Sequence, residues 1–488
     1  MVQALLKPSA CRRVAVIGAG VSGLVAAREL RREGHHVVVY ERGIQTEPDL
    51  LGRDPERPVV HSSLYRSLRT NLPREVMGFR DHPFVARADW SIDPRRFPSH
   101  TEVLAYLKGF ARDFAIEDMI RFDREVVKAG LLKGGNRSRW RVKTRNTTNG
   151  TFLDDEVFDA VVVCNGHYTE PRPAEIPGIS IWPGKQIHSH NYGTPEPFNG
   201  QIVVLIGSEA SAVDISRDIA PVAKEVHVAI RTPEGTTLGK QPGYSNMWLH
   251  PMITSVHEDG AVVFADGTSA CAGVILRCTG YQYHFPFLET EGIVCVEDNR
   301  VGPLYKHVFP PALAPWLSFI GLPWKVVPLP QFEFQSKWIA GVLSGRIALP
   351  SQKVMIEETE NFYAELKAAG IPKRYTHKQS EEQFEYNNWL ADQSGIPGME
   401  DWKKEMYFAT SKNRQARPET YRDVWEDDDL VKQTSSQTDK NSSSTITGWL
   451  ISLGFRAWKT GRKRCTSQLL KTDKPDQRHT VMCGKMMI

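Results

Sequence analysis

The chain has 488 residues, 41% apolar and 24% charged, which excludes a collagen-like, disordered or disulfide-stapled chain and calls for two or three domains. The formal charge of +4 combines two unlike parts: residues 440–488 hold ten Lys and Arg against two Asp, a net of +8, which leaves −4 for the preceding 439 residues. A mildly acidic body gives no support to nucleic-acid binding.

The first informative stretch is VAVIGAGVSGLVAARELRREGHHVVVYER, residues 14–42. Four apolar residues, Val14 to Ile17, read as a buried strand that meets Gly18, Ala19 and Gly20. Val21, Leu24, Ala27 and Leu30 follow at helical spacing, Gly34 ends the helix, and His36 to Tyr40 form a second strand. The turn carries GxGxxG. Gly18 permits the tight turn, Gly20 lets a pyrophosphate approach the backbone, and Gly23 lets the helix lie close to the strand. Val21 and Ser22 begin the helix whose unpaired amides would hold the phosphate. Glu41, 23 residues after Gly18, stands where a carboxylate accepts hydrogen bonds from a ribose diol, and Arg42 adjoins it.

VVVCNGHY, residues 161–168, returns this unit to a strand-to-glycine exit. The layout then repeats. Gln201 to Ile206 read as a strand, followed by Gly207, Ser208, Glu209, Ala210, Ser211 and Ala212, then a helix-like VDISRDIAPVAKE and a strand VHVAIRT. Ala212 replaces the third glycine with a tolerable methyl group. Glu209, in the second glycine's place, puts a carboxylate near an anionic pyrophosphate. Arg231 takes the ribose position, where a guanidinium suits a 2′-phosphate and favours NADP over NAD. VILRCTGYQ, residues 274–282, closes the second unit. The fold class is therefore α/β, with two Rossmann-like dinucleotide-binding domains. Two such units suggest one tightly held flavin and one exchangeable nicotinamide, and the expected layout, which the family resemblance given below implies, is a discontinuous FAD domain (residues 1–195 and 286–432) with an inserted NADP domain (residues 196–285).

Seven cysteines are scattered without CxxC spacing. That pattern disfavours a zinc site or the paired thiols of a flavin disulfide reductase, and no metal centre is expected. The N-terminus lacks the apolar core of a secretory signal, and no apolar run approaches the roughly 20 residues a membrane span needs. A cytoplasmic protein is the expectation.

Between the two units lies WPGKQIHSHNY, residues 182–192. It resembles the FxGxxxHxxxY signature of flavin-containing monooxygenases, with Gly184, His188 and Tyr192 matching and Trp182 replacing Phe. LYRSLRTNLPREVMGF, RRFPSHTEVLAYL, PGYSNMWLHPMI and FEFQSKWIAGVLSGR resemble the plant branch that includes glucosinolate S-oxygenases. The resemblance implies bound FAD, NADPH as reductant, and S-oxygenation of a thioether by O2 through a flavin hydroperoxide, with methylthioalkyl glucosinolates as one substrate class. It makes Asn71, in RTNLPRE, the active-site amide beside the flavin. Trp248, Phe332, Phe334 and Trp338 are candidate pocket aromatics.

The chain departs from that pattern in two places. Residues 41–63, ERGIQTEPDLLGRDPERPVVHSS, lack the Gly-Gly-x-Trp segment that packs on the flavin. With Glu209, this leaves a weakened or silent nucleotide-binding paralogue as the alternative expectation. Residues 433–488 form a basic, Ser/Thr-rich tail in which ITGWLISLGFRAWKTGRKR places a short apolar run before a cationic cluster. Such a segment suits weak contact with an anionic membrane surface.

Overall fold

The computed structural model describes residues 11–43, 63–86, 91–132, 139–231 and 237–425. The tail, and all but the two ends of residues 41–63, lie outside the described residues.

Two parallel sheets organise the molecule. In the first, Arg13–Ile17 is central, flanked by His36–Tyr40 and Ala160–Val163, with Ile120–Arg121 and Leu317–Phe319 at the edges. The near-continuous apolar run of the central strand follows from burial on both faces. Val14 and Val16 enter one core with the helices Val21–Arg32 and Pro328–Ser344. Ala15 and Ile17 enter another, under an antiparallel layer of Arg124–Leu132, Arg139–Asn146 and Glu156–Phe158. The two-residue period of a strand thus divides one short segment between two cores.

The second sheet runs, edge to edge, Gly239–Lys240, Met247–Pro251, Glu225–Ile230, Ile202–Ile206, Val274–Arg277 and Lys185–His188. All its pairings are parallel except that of Gly239–Lys240. Val203 and Leu205 face one core with Ile215 and Ile219 of the helix Ala210–Ile219. Val204 and Ile206 face another, covered by the antiparallel strands Ile253–Val256, Ala261–Phe264 and Ser269–Cys271. Each unit is therefore a parallel sheet with a helix on one face and an antiparallel layer on the other, the α/β architecture expected. The helix expected over residues 213–225 starts three residues earlier and stops at Ile219, with Ala220 still helical as its cap, because Pro221 supplies no amide for another turn. The second sheet also takes its edge strand from Lys185–His188, which the sequence reading leaves in the first unit.

Candidate functional site: two nucleotide turns and the linker between them

The two turns are built alike. Gly18 has φ +102°, donates its amide to Tyr40 O at 2.8 Å, and lies so close to Cys164 that an added Cβ would meet Cys164 O at 2.5 Å. Gly207 has φ +138°, donates to Ala229 O at 3.0 Å, and its added Cβ would meet Cys278 O at 2.5 Å. Both glycines are thus held by sterics and by conformation, since an L side chain rarely adopts either φ. In the third glycine's place the units diverge. A Cβ on Gly23 would sit 1.9 Å from Gly18 O, whereas Ala212 carries its methyl group buried at 1% exposure. The second helix therefore stands slightly farther from its turn.

The helix Val21–Arg32 begins at Gly20 with no side-chain cap and no acidic residue in its first turn. Its first amides and positive dipole end are thus available to a phosphate, flanked by Ala19, Val21 and Ser22. Glu41 closes the other side of the turn, accepting from Ala19 N and Gly43 N at 2.8 Å each. Arg42 is half-buried, and its Nε has no hydrogen-bond partner among the described residues. These features fit a dinucleotide.

In the second turn Ser208, Glu209 and Ala210 are exposed. Glu209 is the helix N-cap residue, yet its side chain, 74% exposed, turns outward to Lys325 Nζ at 3.1 Å. The clash between this carboxylate and a pyrophosphate is thereby lessened: the charge is exposed to solvent and has a cation beside it. Arg231 is exposed at the end of the strand Glu225–Ile230, near enough to Tyr375 that its charge lowers the pKa of that phenol.

Gly184, His188 and Tyr192 secure the linker. Trp182 is buried in the second unit and donates Nε1–H to Gly260 O at 3.2 Å. Gly184 lies beneath its ring, where a Cβ would come within 2.2 Å of a ring carbon. The ring nitrogens of His188 meet Gly280 O at 3.1 Å and His190 N at 3.1 Å. Burial, helped by His190, lowers its pKa to about 4, so it stays neutral near pH 7. Tyr192 is 1% exposed, donates to Asp218 and packs on Tyr65.

Asn71 lies where the two units meet. The segment carrying it starts at Ser63, which bonds His190 Nδ1 at 2.7 Å and Tyr281 OH at 2.8 Å. Leu68 then packs on the core of the second unit and Leu72 on that of the first. Asn71 is half-buried between these two anchors, and its side-chain amide makes no hydrogen bond among the described residues. Arg69, two residues earlier, is fixed by Phe97 O at 2.9 Å and Asp423 at 2.7 Å.

Sequence reasoning missed that last partner. Residues 417–425 strap the units together: Arg422 pairs with Asp214 at 2.8 and 3.1 Å, Glu419 with Arg217 and Tyr244, and Tyr421 packs on Phe97. No local pattern signals it, because every contact spans much of the chain. The aromatics expected in a pocket stand elsewhere. Phe332, Phe334 and Trp338 are buried in the first core, and Trp248 stacks on His227 in the second unit. The helix Pro328–Ser344 that carries the first three is buried nearly all round, with the polar Gln331, Glu333 and Gln335 enclosed beside them.

No group of His, Cys, Asp or Glu among the described residues could hold a metal ion, and no described helix is long and apolar enough to cross a membrane. The flavin-binding monooxygenase-like family model matches residues 11–244 and 238–400. The chain is 63% identical over 440 residues to the Arabidopsis thaliana flavin-containing monooxygenase FMO GS-OX-like 4, covering 88% of this chain and 97% of that protein. It is 56% identical to FMO GS-OX5 of the same plant, covering 86% and 92%. Among solved structures, the S-allyl-L-cysteine S-oxygenase of Allium sativum superposes with a TM-score of 0.83 at 58% identity, covering 89% of this chain and all of that one. OTEMO in complex with FAD and NADP, at 16% identity and TM-score 0.57, shares the fold. Two duplicated nucleotide turns, a linker that matches the monooxygenase signature and near full-length similarity lead to one assignment: the chain belongs to the flavin-binding monooxygenase-like family.

Proposed function

We propose that the protein is an FAD- and NADPH-dependent monooxygenase that transfers one oxygen atom of O2 to the sulfur of a small thioether. The observation that carries this is the 58% identity and TM-score of 0.83 to an S-oxygenase over that enzyme's whole chain. Gly18, Ala19, Gly20, Val21, Ser22, Gly23, Glu41 and Arg42 hold the FAD. Gly207, Ser208, Glu209, Ala210, Ser211, Ala212 and Arg231 hold NADPH. Gly184, His188 and Tyr192 set the angle between the two sites. The flavin, when bound and reduced, supplies oxygen activation. Asn71 supplies a fixed amide donor between the units, and the packed Leu68 and Leu72 limit its movement. A thioether sulfur is itself the nucleophile, so no general base is required at the substrate. Methylthioalkyl glucosinolates are one substrate class, implied by the resemblance of the sequence to the plant branch of the family.

Asn71→Ala is expected to lower the rate of sulfoxide formation by about 10²-fold, the typical loss on removing one preorganised donor, with flavin content unchanged. Stopped-flow reduction by NADPH and product chromatography measure both. An unchanged sulfoxide rate contradicts the role.

The sequence of residues 41–63 favours a second reading, a silent nucleotide-binding paralogue, because it lacks the segment that packs on the flavin. Flavin content of the purified protein separates the two. The cationic tail suits a peripheral membrane contact. Sedimentation with phosphatidylserine vesicles is expected to deplete the full chain more than a chain ending at Lys432, and equal soluble fractions contradict it.

A further inference from the structure

The second nucleotide turn is faced by a ledge belonging to the first unit. Trp324 and Lys378 form a parallel bridge, with Trp324 N donating to His377 O at 3.0 Å and Gln379 N to Trp324 O at 3.1 Å. His377 roots the ledge in the interior through Val301 and His307. The outer side of the ledge is aromatic and cationic. Lys325 reaches Glu209 at 3.1 Å, and the Trp324 ring lies 6.1 Å from that of Tyr375. Arg374 Cζ and Lys378 Nζ stand 5.3 and 5.8 Å from the Tyr375 ring centre. Arg231 and Arg374 stand near enough to the Tyr375 hydroxyl that together they hold the phenol below its ordinary pKa.

The ledge therefore extends from Glu209, at the start of the second helix, to Arg231, at the end of the neighbouring strand. That is the span between pyrophosphate and adenosine ribose in a Rossmann unit. Three cations stand around one phenol, and among the described residues only Arg374 of the three has a carboxylate close by, Asp298 at 3.6 Å. Lys373, on the ledge's far side, is occupied by Glu297. Mutual repulsion of Arg231, Arg374 and Lys378 is relieved by an anion of more than one charge placed among them.

We propose that Arg374, Tyr375 and Lys378 of the first unit complete, with Arg231 of the second, a composite site for the 2′-phosphate of the adenosine half of NADPH. The inference rests on the nicotinamide reading above. In this arrangement the dinucleotide is gripped by both units, so choosing NADPH over NADH also draws them together. Arg231 alone, exposed at a strand end, would give a single mobile contact. The ledge supplies charge on a rigid base and a ring edge beside the ribose.

Isothermal titration of the full chain with 2′,5′-ADP and with 5′-ADP tests this without turnover. The wild type is expected to bind 2′,5′-ADP more tightly. Arg374→Ala with Lys378→Ala is expected to weaken 2′,5′-ADP about 10-fold or more, as for loss of charge-assisted contacts, while 5′-ADP binding and the melting curve stay as in wild type. Tyr375→Phe, which keeps the ring, is expected to produce a smaller loss of the same kind. If the wild type prefers 2′,5′-ADP, Arg231→Ala abolishes that preference and the double variant behaves as wild type, the composite site is overturned and the NADP reading stands. If the wild type shows no preference, both are overturned.

Discussion

Gly23→Ala is expected to yield a protein that loses its flavin on gel filtration. A Cβ at this position would lie 1.9 Å from Gly18 O, and the atom it strikes is backbone. The turn cannot yield cheaply, because Gly18 is fixed by its φ of +102°, by its bond to Tyr40 O and by contact with Cys164 O. Relief must come from moving the helix Val21–Arg32 away from the strand, and with it the amides that would hold the pyrophosphate. Overpacking of this kind costs about 1–3 kcal/mol. Directed at the binding geometry, that is a loss of roughly 5- to 150-fold in flavin affinity. Ala212, at the equivalent place in the second unit, already carries its methyl group, so Ala212→Gly is expected to leave flavin content unchanged. The ratio of flavin to protein absorbance after gel filtration measures both, and a wild-type ratio in Gly23→Ala would contradict the steric argument.

Arg28→Met is expected to produce the largest loss of stability. Arg28 is 1% exposed and contacts Glu29, Asp81 and Glu333 at 2.7, 2.7 and 2.9 Å, with the rings of Phe110 and Phe114 at 4.8 and 4.9 Å. Burial works against its charge, but the three carboxylates outweigh that, and its pKa is raised. Removing the guanidinium leaves Glu29 and Glu333, both 5% exposed, with Lys337 as their shared cation and Arg32 at 3.1 Å as a second one for Glu29. Breaking such a cluster costs about 3–5 kcal/mol. Because Arg28 joins the first nucleotide helix to the helix Pro328–Ser344, the loss falls on the packing that supports the flavin turn. Urea unfolding measures it, and a midpoint like that of wild type would contradict the cluster's role. The same cluster gives a pH signature. Burial favours the neutral form of Asp81, but Arg28 and Arg32 prevail and lower its pKa from 3.8 to about 2. A carboxylate lowered in the fold contributes stability that is present above pH 3.8 and lost as the pH falls towards 2. In Arg28→Met that acid-side slope is expected to shrink.

The parts legible in the sequence are those governed by local constraints. Val14 to Ile17 had to be a buried strand because four apolar residues end in a glycine turn, and the second unit showed the same pattern at Gln201 to Ile206. Gly18, Gly23 and Gly207 were legible because the chain approaches itself too closely there for a side chain. The orientation of Glu209 was not legible: its partner, Lys325, is 116 residues away. Phe332, Phe334 and Trp338 carry the composition of a pocket lining, and only packing shows that they are core. Tyr375 and the strap around Arg422 look like ordinary polar surface, and their relevance comes from the domain arrangement that brings them to the second turn and to the Asn71 segment.

The most direct measurement is the visible spectrum of the purified full chain before and after NADPH in air with an allyl thioether, alongside product chromatography. A stoichiometric flavin spectrum that bleaches, returns as oxygen is consumed and yields sulfoxide in proportion to NADPH is the predicted result. A colourless protein, or a flavin that NADPH does not reduce, would contradict it.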